Sequence, residues 1–262
     1  MKYTCYLNHV GGPGNVLLNN ISRSINAEEK MIQEQYDPKL LNQKSFGFVW
    51  GILRGSYECI QDHIKHNYNY VYLDHAYFNR GHENKTYRFC LNGFQQNYII
   101  KAQDNKLRKY NIQIQPWKKG THILICPPSK FIKRVYNNHN WEIDTLEKLK
   151  KITDRPIKIR NKKNDIPLLN DLQDCHALVT FNSNAAVEAI VHGVPAFVNS
   201  CSSASTMMNV DINNIENPIY HNNRFEWVCS LTYGQFSFDE LKNKNWLPIF
   251  LSMHKEKLLP FS

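Results

Sequence analysis

Short apolar segments of strand length alternate with helical segments along most of this chain, which predicts an α/β fold. The clearest unit is the range 176–198, in which a strand, a polar turn, a helix and a second strand follow one another closely. Such units occur in two series, separated by a polar stretch at 93–120. We therefore expect two Rossmann-like domains that face each other across a cleft, residues 1–112 and residues 113–262.

In the first half, apolar runs predict four strands and the residues between them predict two helices. The strands are expected at 2–7, 46–52, 71–73 and 87–92, and the helices at 15–25 and 56–66. A glycine-bearing turn at 11–14 follows the first strand, but it lacks the spacing of a dinucleotide-binding or P-loop motif. The range 26–45 has no sustained strand pattern and predicts a helix or a surface loop.

The second half repeats the alternation. Strands are expected at 122–126, 158–160, 177–181 and 195–199, and helices at 141–152, 168–172, 185–191 and, at the end of the chain, 238–253. In the clearest unit, Asn182, Ser183 and Asn184 offer N-cap chemistry before the helix. Gly193 is placed to end that helix, and Pro195 prevents its continuation. The turn is thus a helix N-terminus at the carboxyl end of a strand, where backbone N–H groups can receive a phosphate.

Composition indicates a soluble globular protein, with 42% hydrophobic and 21% charged residues. No apolar run reaches the length of a membrane span, and the first residues lack a signal-peptide core, so we expect a cytoplasmic protein. The seven cysteines are scattered and never form a CxxC pair, which argues against a disulfide framework and a structural zinc site.

The charge balance favours a polyanionic partner. Lysine and arginine number 32 against 23 aspartates and glutamates, which gives a formal net charge of +9. Nucleic acid, a phosphorylated polymer and anionic lipid all fit such a charge. A chain rich in lysine also becomes basic through composition alone, so the charge leaves both interpretations open.

A phosphate site is expected where basic residues and the polar turn meet. Arg160 and Lys162 follow the strand at 158–160, and neighbouring strands of the predicted sheet would bring them to the edge that carries Ser183. Arginine can form two parallel hydrogen bonds to a phosphate, and lysine provides a compact positive charge. The turn provides backbone N–H groups and the hydroxyl of Ser183. Each of these charges taken alone is also consistent with a solvated surface residue.

Glu188 lies on the helix after the turn, among small apolar neighbours. A carboxylate there needs a partner, and the diol of a ribose is one that it can bind. The alternative is a carboxylate on the exposed face of the helix.

Asp74 and His75 stand together at the carboxyl end of the strand at 71–73, where open α/β sheets bind their ligands. Either side chain is a candidate general base for a hydroxyl acceptor. Arg54 and Arg80 follow strand ends and are candidate contacts for an anionic substrate. If the acceptor is a base flipped out of a nucleic acid, Tyr77, Phe78 or Trp50 could stack on it. Metal ligation is not expected, because no HExxH motif and no paired Cys/His cluster is present.

Several of these residues carry a resemblance to a known family. The second half resembles the nucleotide-sugar-binding domain of GT-B glycosyltransferases, in particular the capsule-polysaccharide type, through Asn182, Ser183, Glu188, Gly193 and Pro195. The range 72–80 is similar to the acid, aromatic and arginine sequence of those families, and the range 215–241 resembles small bacteriophage-encoded relatives. Two features depart from the pattern, because the chain is short and Arg160-Asn-Lys162 stands where capsule-type relatives have a His-Pro pair.

The resemblance implies a metal-independent GT-B-like glycosyltransferase that takes a nucleotide sugar as its co-substrate and has no other cofactor. Residues 1–112 would then be the acceptor side and residues 113–262 the donor side. For the acceptor, the basic balance and the phage-like closing part favour a hydroxylated or hydroxymethylated base in phage DNA, which would place the protein in the host cytoplasm. Two alternatives stay open: a polysaccharide or cell-surface acceptor, and a non-catalytic module that binds nucleotides or nucleic acid.

Overall fold

We describe the protein from a computed structural model, which covers residues 2–41, 44–80, 85–161, 166–207 and 211–260. The chain forms two compact units. The first contains Met1–Gln96, Ile100–Lys106 and Ser230–Ser262, and the second contains Asn97–Ile99 and Leu107–Cys229. Each unit carries its own sheet with helices, which confirms the predicted α/β class.

The first unit is built on a six-stranded sheet with the strand order β10-β5-β4-β3-β1-β2. Its strands are β1 (Tyr3–Asn8), β2 (Glu28–Ile32), β3 (Phe46–Trp50), β4 (Tyr70–His75), β5 (Thr86–Leu91) and β10 (Gln235–Ser237). Neighbours among β1 to β4 are parallel, whereas β5 runs antiparallel to β4 and β10 antiparallel to β5. The sheet is therefore mixed, and its antiparallel edge was not predicted.

The strand β2 corrects the expectation of a helix or surface loop at 26–45. It pairs in parallel with β1 at one edge of the sheet, and only Ile32 of its five residues is buried. The remaining residues are polar or face solvent, so the strand lacks the alternation by which a half-buried strand is recognised.

The helices of the first unit are α1 (Pro13–Ile25), α2 (Ser56–Lys65), α9 (Phe238–Leu241) and α10 (Trp246–Met253), and α3 (Asn105–Lys109) runs across the division between the units. The expectation of one terminal helix at 238–253 is wrong, because two short helices occupy that range. A capping box formed by Ser237 and Glu240 starts α9, and the link to α10 contains Asn243 and Asn245, which have low helix propensity. Trp246 and Phe250 of α10 pack into the core of the first unit.

The second unit has a four-stranded parallel sheet with the strand order β7-β6-β8-β9. These strands are β6 (His122–Cys126), β7 (Ile157–Ile159), β8 (Cys175–Thr180) and β9 (Ala196–Phe197). The helices α4 (Lys130–Val135), α5 (Trp141–Ile152), α6 (Leu168–Asp171) and α7 (Ala185–Val191) lie in this unit, and α8 (Arg224–Tyr233) runs across the division between the units. Apolar side chains of β6, β8 and α5 form its core.

The strand order corrects one assumption about the predicted phosphate site. The strand before Arg160 and the strand before Asn182 are not neighbours, because β6 lies between β7 and β8. Strands in a sheet are about 4.8 Å apart, so the two strand ends are separated by roughly 10 Å. Both still end at the same edge of the parallel sheet.

Candidate active site

A tightly hydrogen-bonded polar group in the first unit surrounds the Asp74 carboxylate at the end of β4. Its Oδ2 accepts hydrogen bonds from Arg88 Nη2 at 2.6 Å and from the Tyr72 hydroxyl at 2.8 Å. Its Oδ1 accepts from the backbone N–H of His75 at 2.7 Å. Three donors on two oxygens fix the orientation of this carboxylate.

These contacts keep Asp74 ionised. Burial alone would raise the pKa of its carboxyl group, but the Arg88 guanidinium, the His75 N–H and the Tyr72 hydroxyl outweigh burial and hold the pKa below its usual value. A carboxylate with a lowered pKa is a weak base, and it is suited to stay negatively charged beside a centre that becomes positive.

Arg88 reaches Asp74 from the adjacent strand, since the two residues form a cross-strand pair of β4 and β5. Its side chain is 9% exposed, against 29% for Asp74. The guanidinium carbon lies 5.7 Å from the centre of the Tyr72 ring and 5.6 Å from that of the Tyr77 ring. Arg88 is thus a buried charge whose ion-pair partner is Asp74.

His75 is exposed, and its ring contacts the Trp50 indole edge to face at a centroid distance of 5.5 Å. Trp50 in turn meets Tyr87 at 5.6 Å and lies so close to Gly14 of α1 that a side chain at Gly14 would have no room. The imidazole therefore stands at the rim of the sheet beside a half-buried indole, where it is accessible from solvent.

Arg54 lies on the loop after β3, and its side chain is exposed. Its backbone has a left-handed conformation, with φ of 56°, and its carbonyl oxygen accepts a hydrogen bond from Asn8 Nδ2 at 2.9 Å. Asn8 thereby joins the loop after β1 to the loop after β3. This position of Arg54, on the same sheet edge as His75, is compatible with its predicted role in binding substrate.

The structure corrects the role expected for Tyr77. Its side chain is buried, with 1% of the residue exposed, and its hydroxyl accepts a hydrogen bond from Gln96 N–H at 3.1 Å. The Gln235 side chain accepts from the backbone N–H groups of Tyr77 and Phe78, at 3.1 Å each. Tyr77 is part of the packing behind the ion pair and has no open face for stacking on a substrate, whereas Arg80 is exposed.

In the second unit, the turn between β8 and α7 contains three of the predicted donor-binding residues. Asn182 is buried and Ser183 and Asn184 are half-buried. Ser183 Oγ accepts a hydrogen bond from the Ala185 N–H at 3.3 Å, and Asn184 Nδ2 donates to Glu188 Oε1 at 3.1 Å. Glu188 is half-buried, and its carboxylate is directed back toward the turn by the hydrogen bond from Asn184.

Arg160 also lies at this sheet edge, but its guanidinium is held within the unit. It donates to the Asp171 carboxylate and to the Ile166 carbonyl oxygen. Burial raises the pKa of the Cys126 thiol at the end of β6 to about 12, with the positive charge of Arg160 opposing this rise and the negative charge of Glu188 adding to it. Both charges therefore act on the end of β6. Lys162, the other basic residue of the predicted site, lies outside the described residues.

The residues that the structure describes contain no cluster of three or more histidine, cysteine, aspartate or glutamate side chains that could hold a metal ion. No helix in the same ranges is both long and apolar enough to cross a membrane.

No model of a protein family matches the sequence, and no curated protein is significantly similar to it. Solved structures that are similar in fold include two of KpsC from Thermosulfurimonas dismutans. The beta Kdo 2,7 transferase aligns with a TM-score of 0.54 at 9% identity over 93% of this chain and 98% of its own. The beta Kdo 2,4 transferase aligns with a TM-score of 0.51 at 10% identity over 88% and 90%.

The chain has the fold of these two transferases. Both alignments extend over almost the whole length of each protein, so the likeness includes both units. At this identity the likeness is one of fold. The predicted resemblance to capsule-type transferases is supported to that extent, and the predicted bacteriophage relatives are not among the similar structures described.

Sequence reasoning missed the two residues that hold Asp74. Arg88 is a single charge inside the apolar strand β5, in which all six residues are buried. An arginine in such a run needs a buried anionic partner, and this was the available signal. Tyr72 gave no such signal in the sequence, because tyrosine is common in buried strands.

Proposed function

We propose that this protein is a glycosyltransferase that moves a sugar from a nucleotide-sugar donor to a hydroxyl group of a sugar acceptor. The observation that carries the proposal is the likeness in fold, over nearly the whole chain, to two proteins that are Kdo transferases. The proposal includes the GT-B arrangement, in which two domains face each other across a cleft, and transfer without a metal ion.

The donor is assigned to the second unit. Ser183 and the neighbouring Asn182 and Asn184 provide amide and hydroxyl groups at the end of β8, for the donor phosphates. Glu188 is directed toward the same turn and would bind the ribose hydroxyls. The Arg160 guanidinium is already paired with the Asp171 carboxylate, so we expect it to contribute less to binding of the donor phosphates. Lys162 is the second candidate cation.

The acceptor side of the reaction is assigned to the end of β4. Asp74 is ionised, oriented and partly open to solvent, which suits a carboxylate that stabilises positive charge on the sugar as the bond to the donor phosphate breaks. His75 is exposed beside it and is the better proton acceptor for the attacking hydroxyl, because Asp74 is engaged by three donors. Arg54 and Arg80 are exposed and available to an anionic acceptor.

Negative charge on the leaving nucleotide would be stabilised by protein groups alone. Backbone and side-chain donors of the 182–184 turn, together with Arg160 and Lys162, replace the metal ion that other sugar transferases use. This is the basis for proposing a metal-independent reaction.

The likeness to the two KpsC structures changes the class of acceptor that we propose. Both similar structures are named as transferases of the sugar Kdo, which favours a saccharide acceptor. A hydroxylated base in phage DNA, expected from the basic charge, finds no support in them. We therefore propose a saccharide acceptor and treat DNA as an outcome of the test.

Donor binding tests the proposal first. A ligand that binds only the folded protein raises its stability, so a bound nucleotide sugar should raise Tm. Purified protein should be titrated with cytidine, uridine, guanosine and thymidine nucleotide sugars and with the free nucleotides. Stabilisation by one nucleotide class, lost in Ser183→Ala, supports the donor assignment, and no stabilisation by any of them contradicts it.

The acceptor is tested with the donor so identified. Protein and donor are incubated in parallel with capsule-type oligosaccharides and with duplex DNA that carries hydroxymethylated bases, and the products are analysed by mass spectrometry. A mass increase by one sugar on an oligosaccharide supports the proposal. An increase on DNA alone would restore the DNA acceptor, and donor binding without transfer to either would indicate a non-catalytic nucleotide-binding module.

A further inference from the structure

We propose that Tyr72 and Arg88 are positioning residues for the reaction, which hold the Asp74 carboxylate in the orientation and charge state that transfer requires. The inference rests on the proposed function, in which Asp74 faces the sugar. It adds two residues that no motif of the sequence pointed to.

The geometry of Asp74 Oδ2 is the first argument. This single oxygen accepts from both Arg88 Nη2, at 2.6 Å, and the Tyr72 hydroxyl, at 2.8 Å. The other oxygen, Oδ1, accepts from the backbone N–H of His75. The carboxylate is therefore held from β4 and β5 at once, and rotation about its χ angles would break at least one charge-assisted hydrogen bond.

The burial of Arg88 is the second argument. A guanidinium 9% exposed is costly without full pairing, and its Nε is buried with no hydrogen-bond partner among the described residues. Replacement of a buried ion pair by apolar side chains is often neutral or stabilising. The stability of the protein therefore does not explain why a buried ion pair lies at the carboxyl end of this strand. Its effect on the orientation and charge of Asp74 does.

Rigid support behind the pair is the third argument. The Tyr72 and Tyr77 rings both lie near the guanidinium, and Gln235 fixes the backbone that follows His75 through two hydrogen bonds. The ionisable groups that act on Asp74 are Arg88 and Cys90 of β5 and Tyr72 and His75 of β4. Among these neighbours, Arg88 supplies the permanent positive charge.

Tyr72 offers a test that leaves the buried charge pair intact. Tyr72→Phe removes one hydroxyl donor and retains the ring, and Tyr70→Phe is the matched control. Tyr70 lies two residues earlier on the same strand, is equally buried at 3% and has no hydroxyl contact to Asp74. Each variant removes one buried hydroxyl group, and the two tyrosines lie on the same face of β4. A difference in behaviour between the two variants therefore reports the contact of the Tyr72 hydroxyl with Asp74.

Two readouts should separate the variants. In Tyr72→Phe, the loss of a charge-assisted hydrogen bond should move the acid limb of the pH profile of kcat upward by about one pH unit and lower kcat about tenfold at low pH. The KM for the donor should stay within about twofold, because the change lies outside the donor-binding residues. Tyr70→Phe should match the wild type in all three quantities.

The second readout needs no activity. Titration of the Asp74 carboxyl carbon by NMR, assigned by its loss in Asp74→Asn, should show the same upward shift in Tyr72→Phe and none in Tyr70→Phe. In Arg88→Lys, which keeps the charge but not the planar fork, kcat should recover partly relative to Arg88→Met. An unchanged carboxyl titration and acid limb in Tyr72→Phe overturn the positioning role, whereas a wild-type protein without transfer activity overturns the proposed function instead.

Discussion

Asp74 and Arg88 form a cross-strand ion pair, with 2.6 Å between Oδ2 and Nη2, in which the arginine is the more deeply buried partner. The pair joins the last parallel strand of the first sheet to its antiparallel edge. Asp74 therefore neutralises the buried charge of Arg88 and also presents a carboxylate at the edge of the sheet. Any substitution at this position must be interpreted with both in mind.

The ion pair predicts unequal effects of its two partners on stability. Asp74→Asn leaves the buried Arg88 charge without a counterion and should lower the free energy of unfolding by about 2–4 kcal/mol. Arg88→Met leaves the more exposed Asp74 and should cost less, about 1–3 kcal/mol. Urea denaturation of the two single variants and of the double variant measures this.

The double variant is the internal control. If the two charges interact as described, Asp74→Asn combined with Arg88→Met should be less destabilising than the sum of the single changes. Additive effects, or a cost below about 0.5 kcal/mol for Asp74→Asn, would contradict the pairing.

A second prediction concerns acid sensitivity. Burial lowers the pKa of His254, whose ring contacts Phe250 at a centroid distance of 4.3 Å, to about 4. Because the unfolded state takes up a proton near pH 6.5 and the folded state only near pH 4, the contribution of this group is complete above pH 6.5 and is lost as the pH falls. The loss is up to about 3 kcal/mol.

Urea denaturation at a series of pH values from 7 to 4 checks this. His254→Gln should flatten the decline, while His9→Gln, at an exposed histidine, should leave it unchanged. Burial also lowers the pKa of His63, which donates through Nδ1 to the Cys59 carbonyl oxygen, so part of the decline should persist in the His254 variant. Equal slopes in the wild type and His254→Gln would refute the prediction.

Much of the second sheet was predictable because its strands are short, apolar and separated by helices with clear ends. The predicted strand at 122–126 and the helices at 141–152 and 185–191 agree with the structure. Gly193 ends α7 with φ of 78°, a conformation that suits glycine. Such local chemistry is visible in sequence, whereas the order of strands in a sheet is not, which is why β6 between β7 and β8 was missed.

The first unit was less predictable because its sheet depends on distant pairing. The strand β10, from residues 235–237, adds to β5, and α10 closes the core from the end of the chain. Pairing between strands also explains why the contact between Arg88 and Asp74 was not predicted, since the sequence pattern does not show that β4 and β5 are neighbours. Tyr77 was misassigned because its exposure depends on packing against Arg88 and Gln96.

Gly193 gives a third prediction. Its positive φ, and contact of any added Cβ with the Pro116 carbonyl oxygen, should make Gly193→Ala destabilising by about 2 kcal/mol or more. Gly93→Ala is the control, because a Cβ there would meet its nearest atom at an ordinary 3.5 Å. Thermal denaturation with calorimetry measures both, and similar Tm values for the two variants would contradict the described backbone.

Metal independence gives a fourth prediction. If protein groups alone stabilise the leaving nucleotide, protein dialysed against a chelator and assayed in EDTA should turn over within about twofold of the rate of untreated protein. Addition of Mg²⁺ or Mn²⁺ should not stimulate it. A loss of activity with EDTA that either ion restores would show that a metal takes part in transfer.

The central claim is that the chain transfers sugar, with the donor bound at Ser183 and Glu188 and the chemistry assisted by Asp74. The most direct test measures donor Kd and single-turnover transfer rate for Asp74→Asn and Ser183→Ala, at a temperature at which both variants are folded. We predict that Asp74→Asn keeps the wild-type Kd within about twofold and loses at least about 100-fold in rate, and that Ser183→Ala weakens donor binding about tenfold. Wild-type protein that binds no nucleotide sugar, or an Asp74→Asn variant that transfers at the wild-type rate, would contradict the account.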